Sequence, residues 1–194
     1  DALPVIEPGF AEPGQEDFQP FRRDPETLAR PWAIPGTEGL EHRIGGLEKE
    51  ADSTGNISYD PQNHAWATEL RAAKVLKLAD EIPAVDVDDP DGDADLLVLG
   101  WGSTYGAIRV AVDRVRERGK KVARAHLTHL NPFPGNLGEV LRRYPKILVP
   151  EMNTGQLSKM VRAEYLAPAE VYAKVQGQPI FAEELEHEIE RRLP

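Results

Sequence analysis

The 194-residue chain has no cysteine at all. That excludes disulfides, a thiolate nucleophile, and any iron–sulfur cluster or Cys-type zinc site held by this chain. Long apolar runs are missing as well: none approaches the roughly 18 residues of a membrane span, so no membrane protein is expected. Positive charge is in the minority, with 23 Lys and Arg against 33 Asp and Glu and a formal net charge of -10. A nucleic-acid surface needs clustered Lys and Arg, so that partner is not expected either. The run Arg114, Arg116 and Arg118 reads as a solvated helix face. A soluble, cytosolic globular chain fits this composition. Its start at Asp1, with no basic and apolar leader, suggests a piece of something longer.

Seven prolines and seven glycines fall within residues 1 to 60, without a sustained period of 2 or 3.6. They read as an extended arm and linker, stabilised for much of its length against another chain. Residues 61 to 83 read as a connecting helix, with Asp60 as N-cap, Pro61 at its first position, and Trp66, Leu70, Ala73 and Leu76 along one stripe. From residue 84 onward, strand and helix patterns alternate. "DLLVLG", "VARAHL", "KILVP" and "AEVYAKV" are strand-like, and each precedes an amphipathic helix. Gly119 closes the first of these helices, and Asn136 with Glu139 resembles a capping box for the second. Repeated strand–helix units predict a Rossmann-like, three-layer α/β domain over 84 to 194, with a mostly parallel sheet. Ligands and partners of such sheets meet the carboxyl ends of the strands. Three loops follow strands here, "GWGST", "THLNPFPGN" and "PEMNTG", and all should share one edge.

Each tempting motif fails on its spacing. Gly100, Gly102 and Gly106 give G-x-G-x-x-x-G, one residue too long for a dinucleotide turn, and no acid ends the next strand to hold a ribose. The exposed helix start at Gly102, Ser103 and Thr104 still offers amides to a small anion, although a turn capped by Ser103 accounts for it too. Aligning Gly92 of "DVDDPDGDAD" with the glycine of a calcium loop puts Val87 at the first ligand position and Val98 at the twelfth, so the stretch is read as a solvated turn entering a strand. His126 and His129 lie three apart in an extended segment and face opposite ways. No nucleophile elbow or paired-carboxylate site is present, and no catalytic residue is assigned.

The stretches "LLVLGWGSTYGAI" and "HLTHLNPFPGNLGEVLRRYPKILVPEMNTGQLSKMVRAEYL", with "GLEHRIGG" and "STGNISYDPQNH" upstream, resemble the C-terminal part of the alpha subunit of 2-oxoacid:ferredoxin oxidoreductases, most of all the 2-oxoglutarate type. The match covers about residues 36 to 175. It implies part of an enzyme that uses thiamine diphosphate, magnesium, an iron–sulfur cluster and CoA to convert a 2-oxoacid to an acyl-CoA while reducing ferredoxin. It implies a transketolase C-terminal-like domain whose role is mostly assembly, with upstream alpha-subunit domains and a beta subunit as partners. The family's Tyr-Pro-Ile-Thr-Pro substrate motif is absent here. The resemblance and the glycines around them make Glu41 and His42 the substrate-proximal candidates, a role set beside simple bracing of the arm. His129, Asn131, Phe133, Glu151, Met152 and Asn153 are the interface candidates. A free-standing module binding a small anion or CoA, or a pure scaffold, is the rival reading.

Overall fold

A computed structural model describes residues 9–194, so the first eight residues of the expected arm lie outside the described residues. The chain divides into two compact units, one ending at Leu78 and one spanning Ala79–Pro194.

In the first unit, turns and two isolated bridges organise the Pro- and Gly-rich stretch. Phe10 bridges Trp32 in parallel, and Lys49 bridges Ile57 antiparallel. Gly55 takes φ +91°, and a Cβ there would sit 2.9 Å from the Phe21 ring, so glycine is required on both counts. The helix α1 runs Pro61–Leu76, and Asp60 caps it by accepting from the Gln62 amide at 2.8 Å. The apolar stripe expected to face inward does not do so. Trp66 and Leu76 are 45% and 60% exposed, while Asn63 and Ala67 are buried. The reason is polar: the Asn63 side-chain amide donates to the Lys49 carbonyl at 2.8 Å, and that bond fixes which side of α1 turns in.

The second unit is a three-layer α/β fold. Its elements are β1 (Val87–Asp88), β2 (Leu96–Trp101), α2 (Tyr105–Glu117), β3 (Val122–Leu127), α3 (Leu137–Arg142), β4 (Ile147–Glu151), α4 (Gln156–Tyr165), β5 (Ala169–Ala173) and α5 (Ala182–Glu190). The sheet order is β1-β3-β2-β4-β5, parallel except for β1 on β3. Strand alternation builds the layers. Leu97, Leu99 and Val149 point toward Leu137, Leu141, Leu157 and Val161 of α3 and α4. Leu96, Val98 and Leu148 point toward Ile108, Val112, Leu185 and Ile189 of α2 and α5. Gly119, at φ +79°, closes α2 as its sequence position suggests.

Several local expectations are corrected. Asn136 makes no cap bond at α3; its side chain instead donates to the Val85 carbonyl at 2.9 Å and accepts from the Val85 amide at 2.8 Å. The acidic stretch is not only a solvated turn. Val87 and Asp88 pair with Ala125 and Arg124 of β3, and Asp88 binds Arg116 and Arg124. Arg114 and Arg118 are not merely solvated, because they reach Glu186 and Glu190 on α5. Among the described residues, no helix is long and apolar enough to cross a membrane.

Candidate functional site

Because β3, β2 and β4 run parallel, their carboxyl ends share one edge. From β2 the chain passes to its neighbour β3, and from β3 it crosses to β4 on the other side of β2. The loops after β2 and β4 therefore flank a topological switch point, the usual ligand position in such sheets. They meet there, with the Ser103 hydroxyl 4.0 Å from the Met152 sulfur.

The loop after β2 offers less to an anion than the sequence suggests. Thr104 is buried, and its hydroxyl is used locally, accepting from the Trp101 amide and donating to the Trp101 carbonyl at 2.8 Å. Ser103 makes no cap bond; Thr104 occupies the cap position of α2 without a side-chain cap bond of its own. Gly102, at φ +57°, and Ser103 are exposed.

After β4, the start of α4 is closed by two side chains. The Asn153 carbonyl oxygen accepts from the amides of Gly155 and Gln156, both at 2.8 Å. The Glu151 carboxylate accepts from the amides of Leu157 at 2.8 Å and Ser158 at 3.0 Å. A helix start leaves four amides without intrahelical partners, and here all four are matched. Glu151 is fully buried, at 0% exposure, so it serves the favourable helix-dipole contact its position suggests and presents nothing to a partner. Met152 remains exposed at 41%.

In the loop after β3, His129 and Asn131 are exposed, while Pro132 and Pro134 are buried. Phe133 is half-buried and packs on Tyr165, ring centroids 5.7 Å apart, so much of its apolar surface is already covered. His126 and His129 do separate: His129 lies in the open beside the Thr128 hydroxyl, whereas His126 turns inward.

A cleft of about 490 Å³ opens beside this loop, lined by residues 83–86, Asp88, Tyr105, Ile108, Arg124, His126 and Thr128, among others. Its volume falls within the range of small-molecule pockets. The His126 ring meets Tyr105 edge-on at 5.1 Å, and its Nδ1 is buried without a hydrogen-bond partner. Burial holds the His126 pKa below the ordinary histidine value, against an opposing contribution from the Gly102 backbone. Sequence periodicity identifies His126 only as a strand residue; its pairing with Tyr105 depends on α2 folding back over β3.

In the first unit, Glu41 is exposed. His42 is braced: its Nδ1 donates to the Leu40 carbonyl at 2.8 Å, and its ring lies 5.6 Å from Phe18 and 6.4 Å from Phe21.

Residues 94–185 match the family model for the pyruvate:ferredoxin oxidoreductase core domain II. The loops after β2, β3 and β4, and with them the whole switch-point edge, lie inside the matched region. Beyond domain II the similarity continues. The chain is 56% identical over 185 residues, 95% of its length, to the 2-oxoglutarate oxidoreductase subunit KorA of Mycobacterium tuberculosis. It is 34% identical over 87% of its length to the alpha subunit of 2-oxoacid:ferredoxin oxidoreductase 1 of Aeropyrum pernix. It spans only 28% and 27% of those two proteins. A solved 2-oxoglutarate:ferredoxin oxidoreductase from Magnetococcus marinus, with 2-oxoglutarate, coenzyme A and succinyl-CoA bound, superposes with TM-score 0.86 at 29% identity, over 97% of this chain and 33% of that one.

Proposed function

We propose that this chain forms part of the alpha subunit of a 2-oxoglutarate:ferredoxin oxidoreductase and contributes to its assembly rather than to bond making. The observation carrying this reading is the 56% identity to a 2-oxoglutarate oxidoreductase subunit along 95% of the chain. The complete enzyme converts a 2-oxoacid to an acyl-CoA, releases carbon dioxide and reduces ferredoxin. Thiamine diphosphate, magnesium and the iron–sulfur cluster are assigned to its other domains and to the beta subunit, and the complete enzyme uses CoA. The donor set of this chain supports that division for the cluster, since it has no cysteine to ligate iron. Upstream alpha-subunit domains and the beta subunit are the partners, and the cytoplasm is the compartment.

Within this chain the exposed groups of the switch-point edge, His129, Asn131 and Met152, are the docking candidates. Glu151 and Asn153 hold α4 in place behind them. Glu41 is the group in the first unit free to approach a substrate, with His42 fixing its loop.

The test is Met152→Ala with Asn131→Ala in the complete complex. Subunit association should weaken by about 1–3 kcal/mol, with KM for the 2-oxoacid unchanged. Unchanged assembly with a raised KM would overturn the assembly reading and move this edge to the substrate.

A further inference from the structure

The first unit is acidic, with fourteen Asp and Glu against eight Lys and Arg in its 78 residues, yet Arg23, Arg30 and Lys49 form no ion pair among the described residues. The Arg30 guanidinium lies 4.6 Å from the centroid of the Phe21 ring, and the Lys49 ammonium lies 5.6 Å from that same centroid. Arg30 is half-buried and makes neither a hydrogen bond nor an ion pair among the described residues. Arg23, also half-buried, donates to the Leu28 carbonyl at 2.9 Å and meets no carboxylate among the described residues. Lys49 is buried on the carbonyls of Gly45 and Leu47.

Four acids of the first unit are committed elsewhere. Asp24 holds its own turn through Thr27 and the Glu26 amide. Glu48 binds His64 and Arg71, Asp52 binds Thr54, and Asp60 caps α1. Burial, and then the charges of Arg30 and Arg71, hold the Arg23 pKa below the usual arginine value. A guanidinium carries five N–H donors in a planar fork, so Arg30 has its full set available and Arg23 most of its set. Half-buried cations of like sign repel one another, and a bound anion would relieve that repulsion.

We propose that Arg23 and Arg30, backed by Phe21 and Lys49, form a binding site for an oxyanion, the phosphate or carboxylate group of a small molecule. The planar forks suit bidentate recognition of either group. The aromatic face of Phe21 holds one fork in place, which lowers the ordering cost of binding. This site stands independently of the assembly surface on the α/β unit.

The experiment titrates the 194-residue chain with pyrophosphate and, separately, with 2-oxoglutarate, at fixed ionic strength set with sodium chloride. Binding is read by calorimetry and by the NMR signals of the arginine Nε–H groups. The expected result is saturable binding of at least one probe, with the Arg23 and Arg30 signals shifting together. The tighter probe identifies phosphate or carboxylate as the recognised group. Arg23→Gln and Arg30→Gln should each weaken binding at least tenfold, while Arg43→Gln, at an exposed arginine, should leave it unchanged. Absence of saturable binding by both probes would overturn the proposal, as would binding that survives both substitutions or titration in which the two arginine signals do not move. The wild-type NMR readout remains decisive if a variant fails to fold.

Discussion

Replacing Glu151 with alanine should be among the most damaging single changes to the α/β unit. The carboxylate is fully buried and receives the amides of Leu157 and Ser158, so its removal strands two donors in a site without water access. Each buried unsatisfied amide costs about 1–3 kcal/mol, giving about 2–6 kcal/mol for the pair. Loss of a negative charge at a helix start adds up to about 2 kcal/mol in a buried setting. A natural domain is stable by only about 5–15 kcal/mol, so the change would consume much of the total. Glu151→Gln keeps the shape, but its amide nitrogen opposes one of the two donors, so the expected loss is about half, near 1–3 kcal/mol. Urea unfolding followed by circular dichroism measures the change. Hydrogen exchange locates it, because the Leu157 and Ser158 amides should lose protection before the centre of the sheet does. An alanine variant within about 1 kcal/mol of the parent would refute the reasoning, since the two bonds would then carry no net stabilisation.

Gly100→Ala should destabilise the unit by about 1–3 kcal/mol, read as a lowered Tm, through overpacking at the centre of the sheet. The new Cβ would lie 2.3 Å from Ile108 Cδ1 and 3.0 Å from His126 Nδ1. Burial, followed by the hydrogen bond it donates to Asp89 at 2.9 Å, pushes the Tyr144 pKa up to about 12. A folded pKa raised above the unfolded value of about 10 means that stability from this group is complete below pH 10 and is lost as pH rises toward 12. Tyr144→Phe should flatten that alkaline limb and remove one late phenolate from the absorbance titration. Asn136→Ala should cost about 2 kcal/mol by stranding the Val85 amide and carbonyl, with faster hydrogen exchange at Val85.

Local chemistry was well recorded in the sequence wherever neighbours along the chain decide the outcome. Asp60 before Pro61 starts α1, Gly119 ends α2, and the apolar runs at Leu96 and Ile147 become the central strands. Expectations failed where a distant partner decides. Asn136 has the composition of a cap, but Val85, 51 residues away, takes both of its hydrogen bonds. The stripe on α1 has the right spacing, but a bond from Asn63 to the Lys49 carbonyl selects another face. At the sheet edge, the sequence offers Glu151 as an interface candidate, whereas its complete burial follows from β4 lying between β2 and β5. The arginines of the first unit that pair with no acid among the described residues follow no period, since a turn bonded from Asp24 to Ala29 brings Arg23 and Arg30 together beside Phe21.

The short antiparallel strand β1 bears on where this unit can be cut. The family match begins at residue 94, yet Val85 sits in the core, Val87 and Asp88 cover the outer side of β3, and Asp89 holds Tyr144. Trimmed to residue 94, the chain would leave β3 as a bare edge, with unpaired amides and carbonyls open to strands from other molecules. Arg116 and Arg124 would lose the Asp88 carboxylate that lies between them. The minimal soluble piece therefore starts before Val85, and shorter versions should aggregate by edge-to-edge pairing while their central strands remain intact.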